Sequence, residues 1–426
     1  MFGTLRDAFK VEDLRKRLIF TLLMLVVIRI GASVPIPGIN NAYLKEVFAA
    51  NNLDLVGMLD AFSGGAFQNM TLFALGIIPY INSSIIMNLL TIAIPALEEM
   101  QKEGEDGRKK IAKITRYGTI LFAVIQATAI SISLQNIFYT YNAFSVIVAV
   151  VAMTAGTAFL MWIGERITEN GIGNGISLII AINILSRIPS GVRLIFDQVR
   201  SGNYLGVIAI LLVFLLMIVV VILIQLGERR INVQYAKRVQ GRKVYGGQAT
   251  NIPLKVNMAG VIPVIFASSL LQFPSIITNF FVANPTGWWG SVLNWINYYS
   301  IKTNYGVGAL IYFILIILFA YFYTAIIFNP FEVANNLKKN GGFVLGIRPG
   351  RPTVDYLTTI LNRMVFIGGT ILGLIALSPI LLSFIIDIQI NFGGTSLIIV
   401  VGVIIETMKQ IESQLVMRHY KGFLNS

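Results

Sequence analysis

Apolar windows of about 20 residues, the length a helix needs to cross a bilayer, recur along the whole chain, with polar or charged stretches between them. They predict ten transmembrane helices, at 18–34, 71–94, 115–133, 143–163, 175–188, 205–226, 258–281, 307–328, 364–386 and 395–408. The pattern is that of an all-α polytopic membrane protein. A shorter pattern precedes the first span. Phe2, Leu5 and Phe9 in MFGTLRDAFK recur at helical spacing, which suits a helix lying in the membrane interface. Arg15-Lys16-Arg17 before LIFTLLMLVVI could open a signal peptide. Against cleavage, Arg29 follows the run directly and no small-x-small site lies nearby.

Residues 60–81, DAFSGGAFQNMTLFALGIIPYI, break the pattern. Ala61, Phe62, Ala66 and Phe67 are apolar enough to enter a bilayer, but the stretch is too short to cross one. Ser63-Gly64-Gly65 interrupts any helix it forms. The result is a half-inserted piece of chain at the mouth of the second span.

The ten windows also divide into two sets of five, and an odd number gives the sets opposite orientation. The second window of each set reads G-x-I-P-x-I, at Gly76–Ile81 and Gly260–Ile265. The fifth windows, the two shortest, both read G-x-S-L-I-I, at Gly175–Ile180 and Gly394–Ile399. The division predicts an N-terminal half, 1–190, and a C-terminal half, 191–426. Each motif ends in isoleucine, and a pseudo-twofold axis in the membrane plane brings Ile81, Ile180, Ile265 and Ile399 to one depth. They line a central path or are ordinary core and lipid-facing residues.

Composition agrees, with 56% hydrophobic and 12% charged residues and no cysteine for disulfides or thiolate chemistry. The net charge of +13 is one-sided. With a cytoplasmic N-terminus and ten crossings, 27 of the 33 Lys and Arg fall on the cytoplasmic side, as loop charge requires. The other six are Arg29, Lys45, Arg187, Arg193, Arg200 and Lys302. Both termini are thereby expected in the cytoplasm.

Much chemistry is missing. No G-x-x-x-x-G-K-[ST] loop is present to cradle phosphates. The single histidine, His419, lies in the tail, so a His-based metal site or Ser-His triad cannot be assembled. Glu165, Glu228, Glu406 and Asp387 sit at or past span ends, leaving no intramembrane carboxylate relay for a coupled transporter. No catalytic residue, cofactor or metal is expected, and any work is driven from outside the chain. Neutral polar residues do collect within spans: Asn82, Ser83, Ser84, Asn88, Gln126, Ser268, Ser269 and Gln272. They are interhelical hydrogen-bonding groups, worth about 0.6 to 2 kcal/mol each, or the faces of a seam meant to separate.

Two cytoplasmic loops, 227–257 and 329–363, are long and basic, and RKVYGG in the first suggests a hairpin leading into a glycine turn. Orientation needs only a few positive charges. The remainder suits a partner carrying RNA phosphates or an acidic protein surface.

Motifs along essentially the whole chain are similar to those of the SecY family, the channel-forming subunits of the bacterial protein translocon. They include FSGGA at Phe62–Ala66, ALGIIPYI at Ala74–Ile81, KEGEDGRKKIAKITRYGT at Lys102–Thr119 and GERITENGIGNGIS at Gly164–Ser177. QYAKRVQGRKVYGG at Gln234–Gly247, PLKVNMAGVIPVIFASS at Pro253–Ser269, FNPFEVANNLKKNGGFVLGIRPG at Phe328–Gly350 and FGGTSLIIVV at Phe392–Val401 complete the set. The resemblance implies two inverted five-helix halves around an hourglass pore in a bacterial plasma membrane. It implies a pore ring of Ile77, Ile81, Ile176, Ile180, Ile265 and Ile399, and a plug near 58–68 that includes Phe62, Ser63, Gly64, Gly65, Ala66 and Phe67. It implies a lateral gate between spans 2 and 7, with Asn82, Gln126, Ser269 and Phe273 at matching positions. Lys237, Arg242, Lys243 and Arg348 match the docking surface for the SecA motor ATPase and the ribosome. SecE and SecG small subunits, signal sequences, unfolded polypeptides and membrane lipid are the other implied partners. Asn82 and Asn88 depart from the residues usual there, and the tail after Tyr420 is short. Inverted repeats alone would equally suggest a secondary transporter. The missing intramembrane charges and the basic loops argue against it.

Overall fold

A computed structural model of the chain describes residues 2–41, 43–44, 60, 62–202, 204–235, 238–240, 243–245, 249–281, 291, 306–386 and 394–424. The N-terminal pattern forms α1 (Phe2–Lys10), whose Ala8 is buried with Leu14, Ile172, Met408 and Ile411 while Phe9 stays exposed. Then follow α2 (Glu12–Gly31), α3 (Ile78–Ala93), α4 (Pro95–Lys102), α5 (Glu105–Ser133), α6 (Ala143–Asn170), α7 (Gly175–Leu185), α8 (Ile188–Arg200) and α9 (Tyr204–Leu226). Beyond the first basic loop come α10 (Ile262–Phe281), α11 (Gly306–Ile327), α12 (Pro330–Lys339), α13 (Arg351–Ile386) and α14 (Gly394–Leu424).

Each of the ten predicted spans contains one of these helices. Among the described residues, seven helical stretches are long and apolar enough to cross a membrane by themselves, α7 qualifying only together with α8. An eighth is α3 with α4, which bend by 100° at the Ile94–Pro95 junction. The chain is a multi-pass membrane protein.

The second and seventh spans begin later than hydropathy alone predicts. Residues 72–77 are turns and α3 starts at Ile78; α10 starts at Ile262. In both, proline is the second helical residue, Pro79 and Pro263. Lacking an N–H and clashing one turn back, proline is tolerated there and not further in. In both, a glycine two residues before the helix has positive φ, +57° at Gly76 and +66° at Gly260. The repeated motif is therefore a repeated helix start.

The fifth spans repeat as well. Asn174 caps α7, its Oδ1 accepting from the N–H groups of Ile176 (3.1 Å) and Ser177 (3.3 Å). Gly175 opens α7 and Gly394 opens α14. Each lies against the carbonyl of the preceding span, Gly164 in α6 and Ile375 in α13, with no room for a side chain.

Helices from both predicted halves meet in one apolar core that includes Ile28, Leu160, Val221, Tyr312, Leu372 and Val403. The two basic loops meet too. Strand β1 (Glu228–Tyr235) pairs antiparallel with β4 (Ala249–Lys255) on one side and with β5 (Gly342–Val344), from the other loop, on the other. Ile231, Val233, Leu254 and Val344 bury against Leu337 of α12 and Leu357, Ile360 and Met364 of α13. Between β1 and β4 stands the expected hairpin, β2 (Arg238–Gln240) with β3 (Lys243–Tyr245). Gln240 pairs with Lys243, so KVY is the second strand of the hairpin. The predicted glycine turn at 246–247 lies outside the described residues.

Candidate pore constriction, plug and gate

Six isoleucines predicted for a ring come from α3 and the turn before it, α7, α10 and α14. Ile77, Ile81, Ile180, Ile265 and Ile399 are buried members of one cluster, and Ile176 packs against it half-buried. Two plug residues, Phe62 and Ala66, join the same cluster. The four isoleucines at the ends of the repeated motifs therefore belong to one apolar cluster. An aliphatic constriction cannot replace an ion's hydration shell, and when narrow it tends to dewet.

In the predicted plug segment, Phe62 and Ser63 are helical and 64–70 are turns. Phe62, Ser63, Ala66 and Phe67 are buried. Local bonds shape it. Ser63 Oγ accepts from the Phe67 N–H (3.1 Å), and Asp60 Oδ1 accepts from the Gln68 N–H (3.0 Å). Gly64 has φ +67°, and a Cβ there would stand 2.9 Å from the Asn183 Cα, so both backbone angle and space demand glycine.

Four polar side chains fasten this segment to α2, α7 and the turn after α7. Asn183 Nδ2 donates to the Phe62 carbonyl (3.0 Å) and Ser186 Oγ to the Gly64 carbonyl (3.2 Å). Arg29 Nη1 donates to the same Gly64 carbonyl (3.4 Å). Arg187 forms an ion pair with Asp60 at 3.3 Å, the carboxylate side chain being only 1% exposed. Burial pushes the Asp60 carboxyl above the usual carboxylate range, while Arg187 and the Gln68 N–H pull it back. Sequence reading did not assign these four residues to the plug. The available signal was that Arg29 and Arg187 belong to the six basic residues outside the cytoplasmic segments, and that Asp60 heads the broken stretch.

On the predicted gate, α10 packs against both α3 and α5. Asn82, Gln126 and Ser269 are all buried. Phe273 lies in α10, with its side chain outside the described residues. Ser83 Oγ donates to the Thr115 carbonyl (2.8 Å), tying α3 to α5, and Ser268 Oγ to the Ile265 carbonyl (2.9 Å) within α10. Those two act as ordinary hydrogen-bonding groups. Asn82 Nδ2 and Gln126 Nε2, in contrast, are buried without a hydrogen-bond partner among the described residues. Each such orphan costs about 1–3 kcal/mol, so the closed seam carries stored polar cost.

Of the docking residues, Arg348 is exposed in the turn between β5 and α13, its carbonyl held by Thr353 Oγ1 (2.9 Å). Lys243 lies in β3 with its side chain outside the described residues, as are Lys237 and Arg242 altogether.

Comparison with known proteins gives one answer. A family model described as SecY matches residues 71–408. A protein translocase subunit SecY from Streptomyces galbus is 46% identical over 441 residues, covering 100% of both chains. Among solved structures, one described as showing that the plug domain of the SecY protein stabilises the closed state of the translocation channel and maintains a membrane seal has a TM-score of 0.65. It is 18% identical and covers 94% of this chain and 92% of its own. Sec61 in the canine ribosome-channel complex from the endoplasmic reticulum has a TM-score of 0.61 at 16% identity, covering 94% of this chain and 93% of its own.

Proposed function

The chain belongs to the SecY family, and from that premise we propose that it is the central subunit of a passive channel. This channel passes unfolded preproteins across the membrane and releases hydrophobic helices sideways into lipid. The observation that carries the proposal is the convergence of aliphatic side chains from four spans, with the plug's Phe62 and Ala66 in the same cluster. A ring of branched side chains can part around a polypeptide and close behind it, while excluding ions when empty.

In this reading residues 1–190 and 191–426 are the two halves of a clamshell. Irregular backbone at the plug is tolerated at membrane depth because protein and a water-filled funnel surround it. Asn82, Gln126, Ser269 and Phe273 mark the lateral gate. A gate whose closed seam leaves Asn82 and Gln126 unsatisfied gains polar interactions when water or a signal sequence enters, which lowers the cost of opening. The shared sheet of the two basic loops is the docking platform, with Lys237, Arg242, Lys243 and Arg348 as contacts for SecA or the ribosome. The chain works without catalytic residues of its own, in a bacterial plasma membrane with both termini cytoplasmic. SecE- and SecG-like small subunits complete the complex.

Reconstitution tests the proposal. Purified with its small subunits in liposomes, the chain should import an unfolded preprotein when SecA and ATP are supplied outside. Vesicles that instead accumulate a small solute against a gradient, and import no preprotein, would make it a transporter.

A further inference from the structure

The plug's polar fastenings have one address. Arg29 lies on α2, Asn183 on α7, and Ser186 with Arg187 in the turn that follows, all within residues 1–190. Among the described residues, the hydrogen bonds and ion pair that hold Asp60, Phe62 and Gly64 from other helices come from this half, while Val264, Ile265, Phe266, Leu397 and Ile399 of the second half share the apolar cluster of Phe62 and Ala66. These two kinds of contact fail differently when the halves part. Apolar contacts separate with a cost that follows the area exposed. A buried ion pair resists, because removing one partner strands the other's charge. Asp60 is almost fully enclosed and Arg187 only 16% exposed, so separating the pair would leave a buried carboxylate without its partner.

We propose that Asp60 and Arg187, with Asn183 beside them, form a latch that keeps the plug on the first half while the gate opens. Gate opening and unplugging are then two separate steps, and a chain entering the funnel, not the signal sequence in the gate, breaks the latch. Gly64 lets the plug lie directly on α7, where a Cβ would meet the Asn183 backbone, so the ion pair is formed at fixed geometry. The proposal rests on the channel reading above and adds a positioning role for Arg187 and Asp60.

The chain has no cysteine, so a label pair at Asn82→Cys and Ser269→Cys reports gate width alone while planar-bilayer current reports the plug. A synthetic hydrophobic signal peptide is the probe, applied to the complete reconstituted complex. With the latch intact, the peptide should widen the gate and leave the current at its resting level. Asp60→Asn keeps an acceptor for the Gln68 N–H but loses the charge. It should show the same widening with a current about tenfold or more higher. Arg187→Gln should match it, the double substitution should add little beyond either, and Arg187→Lys should restore the seal. Thermal unfolding of each purified variant well above the assay temperature separates lost latching from lost folding. Current that rises with gate width in the unaltered protein, or Asp60→Asn that seals as well as the parent, overturns the latch. A peptide that fails to widen the gate in any variant overturns the channel reading as well.

Discussion

Gly175 and Gly394 occupy the same position in two different places. A Cβ on Gly175 would stand 1.9 Å from the Gly164 carbonyl oxygen, and one on Gly394 1.9 Å from that of Ile375. Each is the first residue of a helix pressed onto the span before it. The internal repeat is thus visible as a repeated backbone contact, independent of side-chain identity. Gly175→Ala and Gly394→Ala should each force a helix outward and destabilise the protein by about 1–3 kcal/mol. Thermal unfolding in detergent measures it. A large loss at one site and none at the other would mean that the shared contact is coincidental.

The ring makes a second prediction. Ile81→Ser or Ile265→Gly should wet the waist and raise resting ion conductance in a planar bilayer. Deleting Phe62–Phe67 should raise it mostly as transient openings, because the isoleucines remain beneath. Combining the two should leak far more than either alone. Export should continue in all three, since a looser waist still leaves a path. Ring substitutions that conduct no more than the parent would reduce these isoleucines to core packing.

For the gate, Asn82→Cys with Ser269→Cys should crosslink with a short bifunctional reagent in the resting channel, since both positions are buried on helices that pack together. Preprotein import and membrane insertion should stop when the crosslink is complete. Full-rate import through the locked protein would place the exit elsewhere.

At the docking platform, Arg348→Glu, or Arg242→Glu with Lys243→Glu, should block SecA-driven import while the protein still inserts and folds. Arg348 is exposed in a turn, where its charge adds little to packing. Binding of purified SecA to the reconstituted variants provides the measurement. Normal import together with inverted topology would show that these charges only orient the chain.

Much of this architecture was legible because membrane helices write themselves into local sequence. A span must be continuous and apolar, and a broken span shows as glycine or proline at a fixed offset, as at Gly76 and Pro79 or Gly260 and Pro263. That Ile81, Ile180, Ile265 and Ile399 share one apolar cluster was legible for the same reason, since a repeat carries its symmetry in the sequence. The plug's fastening was not. Asp60 and Arg187 are far apart along the chain, and an ion pair between distant residues leaves no periodicity at either end. The link between the basic loops was hidden similarly. Strand β5 is only Gly342–Val344, too short to announce itself, and β1 could not be assigned a partner in another loop.

One helix gives the platform mechanical reach. α13 runs unbroken from Arg351 beside the sheet to Ile386, about 54 Å at 1.5 Å per residue. Leu357, Ile360 and Met364 fix its near end in the platform's small core, while Leu372 and Ile375 lie in the core that holds the ring. It is a lever whose handle is the sheet of the two basic loops. A partner that tips the platform by about 5° would carry Ile375, about 36 Å along such a rod, sideways by about 3 Å. Grip on the outside of the membrane protein would then become displacement at its centre.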